Sequence, residues 1–529
     1  MDKKRIISIA LTLLFTVVLY YVTLPALNLS SPGFYAFIGI ILVFYLIIDN
    51  ISFSIQSVIT TKKTLNIRSI GIVYLVSLIV VAFIVVNLIC SPFFNANKYA
   101  NRISIDETGD FSKDISEVDF NRIPLLDKDS SEKLGDRKMG EKNEWVSQFY
   151  VSNLYTQITY NDEIIRVTPI EYASFIKWIT NRKDGIKGYI SVNSVNGNAS
   201  INTLDKGIKY TESAYFNDKL TRKLRFSYPT KIFGEISFEI DNDGNPYYIV
   251  PTIKYSGIGL KREVDEVIIF DPITGDSNIY EVKDVPEWVD HVYSADLIIE
   301  EVDNWGEYKN GFFNSIFGQK NVVNTTEGYN YLSYNNDIYL YTGITSVSND
   351  ESNLGFILAN LRTKETIFYS APGAEEFSAM SSAEGLVQEK GYIASFPLLI
   401  NLEGKPTYLM SLKDNAGLVK MYAFVDVTDY QKVKTSDSSL GIIAAKEAYL
   451  KEFSSSEGKE LEEAKITIRT IKEAVVNGNT YYYITDGKDK YVMDINVSKY
   501  KIPFISKDDE LEIEYYEEDN VKIIKKIKQ

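Results

Sequence analysis

Two stretches without a single charged side chain, 6–24 and 70–89, settle what the first part of this chain can become. Each has about the 20 residues with which a helix crosses a hydrocarbon core. Between them the apolar run 34–48 is shorter, and it crosses if the helix runs on from Gly33 into 50–55 with Asp49 near the headgroups. Three spans are therefore expected, over 6–27, 33–52 and 70–91. A cleaved signal peptide opened by the basic Met1–Arg5 stretch accounts for less, since no small-x-small cleavage site follows and further apolar runs do. Lys3, Lys4 and Arg5 precede the first run and Lys62, Lys63 and Arg68 precede the last, whereas 28–32 carries no basic residue. The positive-inside rule then puts the N-terminus in the cytoplasm. The expected localisation is a multi-pass cell-membrane protein with the residues after about 92 extracellular.

Charge sharpens this division. The 529 residues carry 56 basic and 71 acidic side chains, net −15. The first 92 hold six of the basic and two of the acidic ones, so the remainder has 56 − 6 = 50 against 71 − 2 = 69, net −19. A body of that sign repels phosphates, and no nucleic acid partner is expected. With one His and one Cys there are too few ligands for a zinc site, and a Ser-His-Asp set could use only His291. Cys90 falls at the end of the third run, so nothing beyond it can form a disulfide, which fits a bacterial surface protein with a large core.

The exported part carries an internal duplication. Tyr155-Thr-Gln-Ile-Thr-Tyr-Asn-Asp162 resembles Tyr329-Asn-Tyr-Leu-Ser-Tyr-Asn-Asn336, and Gly188-Tyr-Ile-Ser-Val-Asn193 resembles Gly355-Phe-Ile-Leu-Ala-Asn360. Gly244, Pro246 and Tyr248 recur as Gly404, Pro406 and Tyr408, and the strand ending at Asp271 recurs as the one ending at Asp426. The order is kept while the offset falls from 174 through 167 and 160 to 155, as loops shorten in the second copy. Each copy reads as α+β. Thr168-Pro-Ile-Glu171 has the form of a capping box with Pro at the first helical position, opening a helix over Tyr172, Phe175, Ile176 and Ile179. Asp284-Val-Pro-Glu287 would cap a second helix burying Trp288, Val292, Ala295 and Ile299, with His291 on its flank. Asp243-Gly244 marks a hairpin. Further helices are expected near 213–224, 378–387 and 440–453, and the polar 345–353 reads as a loop.

The strand, G-x-P turn, second strand and apolar strand ending Phe270-Asp271-Pro-Ile-Thr274-Gly275 resemble the PepSY module. That family's last strand typically ends in an Asp-x-x-Thr-Gly turn, and the likeness covers about 235–300 and 385–450. It implies small extracytoplasmic α+β units, often in tandem, that bind or inhibit peptidases and regulate their surroundings. In the second copy Asp426-Val-Thr-Asp429 lacks the Gly. The chain as a whole is similar to uncharacterised multi-span membrane proteins of Gram-positive bacteria, with the block 123–140 ahead of such domains.

After 463 come short strands with turns at Asn477-Gly478, Asp486-Gly487 and Asp519-Asn520, which suggest a small β-barrel of OB or SH3-like kind. Tyr481, Tyr482 and Tyr483 would be a base-stacking platform, but strand alternation explains them more simply. The layout is then 1–92 transmembrane, 93–150 membrane-proximal linker and helix, 151–320 first α+β repeat, 321–456 second α+β repeat and 463–529 barrel. The fold class is membrane-anchored α+β. In 93–150 the apolar Leu125, Leu126, Leu134 and Met139, with a helix opened by Asp129-Ser-Ser-Glu132, make either a solvated stalk or a packing interface.

No motif supplies a catalytic, cofactor-binding or metal-binding residue. Asp241-Asn-Asp243-Gly244 lacks the Gly and Glu spacing of a calcium loop, and a hairpin explains it. Gly257-x-Gly259 lacks the rest of a dinucleotide site and reads as a loop. Ser378-Ala-Met-Ser-Ser-Ala-Glu384 has no base at a recognisable spacing, and small residues let a helix sit close to a sheet. His291 would be a pH-sensitive contact or an ordinary flank residue. The expected function is non-enzymatic: an envelope protein whose tandem domains bind a protein or envelope partner, or a second copy, as scaffold, regulator or complex subunit, anchored in the lipid bilayer through its N-terminal helices. The alternative is a carboxylate-dependent envelope enzyme such as a glycan hydrolase. A transporter subunit is disfavoured, since the spans carry no charge beyond Asp49.

Overall fold

A computed structural model describes residues 3–60, 67–117, 119–120, 122–334, 336–347, 349–453, 461–476, 479–498, 501–518 and 521–528. The chain divides into two compact units, Met1–Lys446 and Glu447–Gln529. The first opens with α1 (Lys3–Thr23), α2 (Pro32–Thr60) and α3 (Ile67–Cys90). Over Ile6–Thr23 and Pro32–Asp49 the first two are long and apolar enough to cross a membrane. They pack through Phe15 stacked on Phe44 at 3.9 Å, and Asp49 is buried. α3 passes into α4 (Pro92–Ala100) through a 48° bend, and the bent pair together meets the same test. Pro92, which has no N–H to give the preceding turn, and a non-helical Asn95 (φ −131°) accompany the bend. Lys62 and Lys63 lie outside the described residues.

Beyond α4 come β1 (Ile105–Gly109) and α5 (Lys128–Gly140), whose N-cap is Asp127, two residues ahead of the expected Asp129. Two antiparallel sheets follow. The first has the order β2 (Phe149–Val151), β4 (Glu163–Tyr172), β5 (Ile186–Asn193), β6 (Ala199–Ile208), with β3 (Thr156–Tyr160) also on β4. Past α6 (Phe175–Asn181) and α7 (Leu220–Ser227), the second runs β11 (Ser277–Glu281), β10 (Arg262–Phe270), β9 (Pro246–Tyr255), β7 (Ile232–Phe233), with β8 (Ser237–Ile240) also on β9. Ile170, Ile190, Trp178, Phe238, Tyr248 and Phe270 close a core between them.

The same plan then recurs. After α8 (Ala295–Tyr308), β12 (Val323–Thr325) and β13 (Asn330–Tyr334) pair with the two halves of β14 (Asp337–Ser346), followed by β15 (Asn349–Asn360) and β16 (Thr366–Ala374). After α9 (Glu376–Gly385), β17 (Ile393–Ala394) and β18 (Leu398–Leu402) pair with β19 (Lys405–Lys413), and β20 (Val419–Asp426) and β21 (Val433–Asp437) follow. The registers agree as well as the order. Phe149↔Tyr172 and Thr156↔Val167 in the first set become Val323↔Ser346 and Asn330↔Tyr341 in the second, all offset by 174. Gly188↔Thr203 becomes Gly355↔Ser370, offset by 167. The helices preceding the sets also correspond: α5 lies on the first sheet of one, α8 on the first sheet of the other. One departure is β1, which adds a parallel edge strand to β16.

Local patterns were overridden at two places. Residues 163–172 form β4 and not a helix. That strand is central, with nine of its ten residues buried, and β2, β3 and β5 take its backbone groups. The helix starts later, at Phe175, capped by Ser174, whose Oγ accepts from Lys177 N. Likewise 285–294 is irregular and α8 begins at Ala295 on a Ser294 cap, because the amides of Asp290 and His291 are taken by the Glu239 carboxylate. His291 is thus on a connector and not on a helix.

In the C-terminal unit no closed barrel is seen. β22 (Glu462–Thr467), β23 (Thr470–Val476), β24 (Asn479–Thr485), β25 (Lys490–Asp494), β26 (Glu510–Glu518) and β27 (Val521–Ile527) form an open path, order β22-β26-β27-β25-β24-β23. The chain turns at Ile468-Arg469, where Ile468 N bonds Asp509 O and Arg469 N bonds Thr485 O, so consecutive strands go to opposite edges. Ile468, Met493, Ile502 and Ile513 fill its core. The turns expected at Asn477-Gly478 and Asp519-Asn520 lie outside the described residues.

Candidate functional site: the seam between the two copies

Where the two strand sets meet, residues touch their own counterparts. Thr159 Oγ1 lies 3.4 Å from Ser333 Oγ, and Asn336 Nδ2 donates to Asp162 Oδ1 at 3.1 Å. Both pairs are separated by 174 positions, the offset that relates the copies. Self-contacts of this kind arise around a two-fold axis, as in an isologous dimer.

Two connectors sew the seam. Ahead of α5, Leu126 N bonds Ser194 O in the first copy, while Ser411 Oγ donates to Leu125 O and Lys413 pairs with Asp127 in the second. The buried Arg166 donates to Leu126 O. Ahead of α8, Val292 N and Tyr293 N both bond Leu361 O, the position offset by 167 from Ser194. These segments cross between copies because each copy's helix must reach its own first sheet.

The second connector carries the densest buried chemistry. Glu239 accepts from Asp290 N at 2.8 Å, His291 N at 3.1 Å and Ser237 Oγ at 2.9 Å. Asp290 accepts from Thr159 N at 2.8 Å. His291 Nε2 sits 2.7 Å from Gln157 O, and a carbonyl only accepts, so that nitrogen carries the proton. Desolvation holds Glu239 above the ordinary carboxylate range, and desolvation with the adjacent Glu239 charge pushes Asp290 well above it.

Beside the axis opens a groove of about 740 Å³. Its apolar wall includes Ile115, Ile123, Ile164, Leu332 and Leu398, and Asp119, Arg122, Asp162 and Asn336 bring polar groups. That volume and mixture suit an organic ligand or a peptide side-chain cluster. Tyr334 lines it and donates to Asp114 O at 2.8 Å.

A buried ion network ties the membrane-proximal helix to the seam. Arg102, just past α4, is fully buried and reaches Glu300 at 2.6 Å and Glu301 at 3.5 Å on α8. Lys364 pairs with Glu301 at 2.6 Å and Arg262 with Glu300 at 2.5 Å. The loop after β9 meets the ends of the apolar helices. Ile258 N donates to Asn87 Oδ1 at 2.9 Å and Asn87 Nδ2 to Ile258 O at 3.1 Å. Gly257 and Gly259, both at positive φ, are required there: a Cβ would lie 2.9 Å from Cys90 Cβ and 2.4 Å from Pro32 Cγ. Arg225 Nε donates to Leu24 O, and Arg222 stacks on Tyr21.

Sequence reasoning read Gly257 and Gly259 as an ordinary loop and passed over Glu239, Asp290, Arg102 and Glu301 altogether. For the acids the available signal was an acidic residue inside an apolar strand pattern, as at Glu239. Asp241 receives bonds from Asp243 N, Asn245 N and Asn245 Nδ2, which accounts for it as a turn residue. Among the described residues no group of three or more His, Cys, Asp or Glu is placed to hold a metal. In comparisons with known proteins, no family model matches this chain and no curated protein does.

Proposed function

We propose that this is a three-span membrane protein of the bacterial envelope, with the N-terminus in the cytoplasm and everything after about 92 outside. Its two PepSY-like α+β copies bind a protein or envelope component, as scaffold, regulator or complex subunit. The observation that carries this reading is the groove at the pseudo-two-fold seam, joined to the apolar helices through α4 and the Arg102 network. A binder so built holds its ligand at a fixed distance from the bilayer.

The test uses the full chain in native membranes, with a photocrosslinking residue in place of Tyr334 in the groove or of Tyr430 away from it. A discrete adduct from 334 that is missing from 430 is expected. Identical patterns from both positions refute groove binding. Protease added to intact cells should digest the part after Pro92, and protection of that part refutes the orientation.

A further inference from the structure

An aromatic row runs outward from the contact between α4 and α8. Tyr99 meets Tyr308 edge-on at 6.1 Å, Tyr308 stacks on Phe312 at 6.5 Å, and Phe93 packs against Phe312 at 5.3 Å and Phe313 at 5.8 Å. Phe313 stacks in turn on Phe317, which is 80 % exposed. Phe94 and Ile316 are exposed beside them. This is a large contiguous apolar surface on a turn that is far from loose. Asn314 Nδ2 and Asn310 Nδ2 both donate to Lys320 O, Lys320 N returns a bond to Asn314 Oδ1, and Gly311 (φ +88°) and Gln319 (φ +46°) fix its two ends. Such a rigid display of rings gains from a partner and costs solubility without one.

We propose that the occupant is the lipid bilayer: the 311–318 turn and the start of α4 insert into the outer headgroup and upper acyl region as an interfacial wedge. The proposal rests on the reading of α3 as a span. Phe93 lies three residues beyond Cys90 across the 48° bend, so it advances along the α3 axis by less than the roughly 4.5 Å of a continuous helix. The headgroup layer beyond the hydrocarbon core is roughly 5–7 Å thick on each side. Phe93 and the rings touching it therefore fall at the depth where aromatic side chains concentrate in membrane proteins.

A second patch repeats the arrangement at the end of α1. Phe175, Ile176 and Ile179 on α6 are exposed together with Phe216, whose φ of +52° is a strained value for an aromatic residue. Arg222 joins that patch to the span, donating to Phe216 O at 2.8 Å while stacking on Tyr21. Two exposed aromatic patches, each linked to the end of an apolar helix, point to one lipid surface.

The experiment uses the full chain with Cys90→Ser, reconstituted in phosphatidylcholine–phosphatidylglycerol nanodiscs, carrying one cysteine labelled with an environment-sensitive fluorophore. The positions are Phe317→Cys, Leu78→Cys on α3 and Tyr430→Cys as a water control. Blue-shifted emission at 317, with a loss on adding doxyl-labelled lipid comparable with that at 78, is expected, while 430 is unaffected. If 78 is quenched and 317 reports water, the wedge is refuted and the span stands. If 78 is not quenched, the span reading falls and the wedge with it. A blue shift at 317 without lipid quenching means that a second copy covers the rings, and this too overturns the proposal.

Discussion

Replacing Arg102 with Met removes one guanidinium from a site where water cannot take its place. Both Arg102 and Glu301 have fully buried side chains, and Lys364 remains the only other cation within ion-pair distance of Glu301 among the described residues. Breaking a buried pair from one side typically costs about 3–5 kcal/mol, because the remaining charge is left under-compensated. With an unfolding entropy of about 2.1 cal/mol/K per residue, a unit the size of Met1–Lys446 shifts by about 1 °C per kcal/mol, so its midpoint should fall by roughly 3–5 °C. The loss should depend on pH. Burial already raises the Glu301 carboxyl, with Lys364 and then Arg102 pulling it back, so Arg102→Met raises it further. A carboxyl that holds its proton to higher pH folded than unfolded loses stability as pH rises from about 4.3 to the folded value. The variant is therefore least impaired at pH 5 and most at pH 8. Thermal unfolding of the detergent-solubilised chain measures both, and adding Glu301→Gln should restore a large part of the loss. A cost under about 1 kcal/mol, equal at both pH values and unrelieved by the second substitution, would refute the reasoning.

Three further outcomes are expected. Glu376 is buried under Thr326 Oγ1 at 3.0 Å, Tyr341 Oη at 2.5 Å and Asn353 Nδ2 at 3.3 Å; Glu376→Ala should therefore cost about 3 kcal/mol or more in chemical unfolding, with Glu376→Gln much milder. Gly306→Val would place a Cβ 1.9 Å from Val323 O and should loosen α8 from β12, seen as faster amide exchange across 295–308. Because Glu239 and Asp290 are both raised, the folded seam binds more protons than the unfolded chain just above the ordinary carboxylate range. Stability should then fall as pH rises from about 4 toward the folded value of Asp290, and Asp290→Asn should flatten that slope in calorimetric scans.

The apolar helices and the recurring strand order were legible because both rest on long patterns. A 20-residue run survives any tertiary context, and an offset kept over several strands averages out local noise. The hairpin at Asp243-Gly244 was legible for the opposite reason, since Gly244 at φ +82° is a one-residue requirement. What could not be read was decided by distant partners. Thr168-Pro-Ile-Glu171 has a helix-opening pattern, yet β5 claims its backbone; Asp284–Glu287 has another, yet Glu239, some fifty residues away, takes the amides that would have entered the helix. The closed barrel was not formed because β22 and β23 end the strand path at opposite edges without pairing, which strand counting does not contain. The seam was invisible because its polar members were scattered between 102 and 413, each unremarkable alone.

The contacts of Thr159 with Ser333 and of Asp162 with Asn336 bear on ancestry. A surface whose residues meet their own equivalents is what a homodimer of a single-copy ancestor would have possessed. In such a dimer every substitution at the axis appears twice, so a solitary imidazole or an unmatched carboxylate pair is inaccessible. Carrying both copies in one chain lifts that constraint. Glu239, Asp290 and His291 on one side, with Asp337 and Arg362 of the other copy acting on Asp290, are the kind of one-sided specialisation open to a tandem chain.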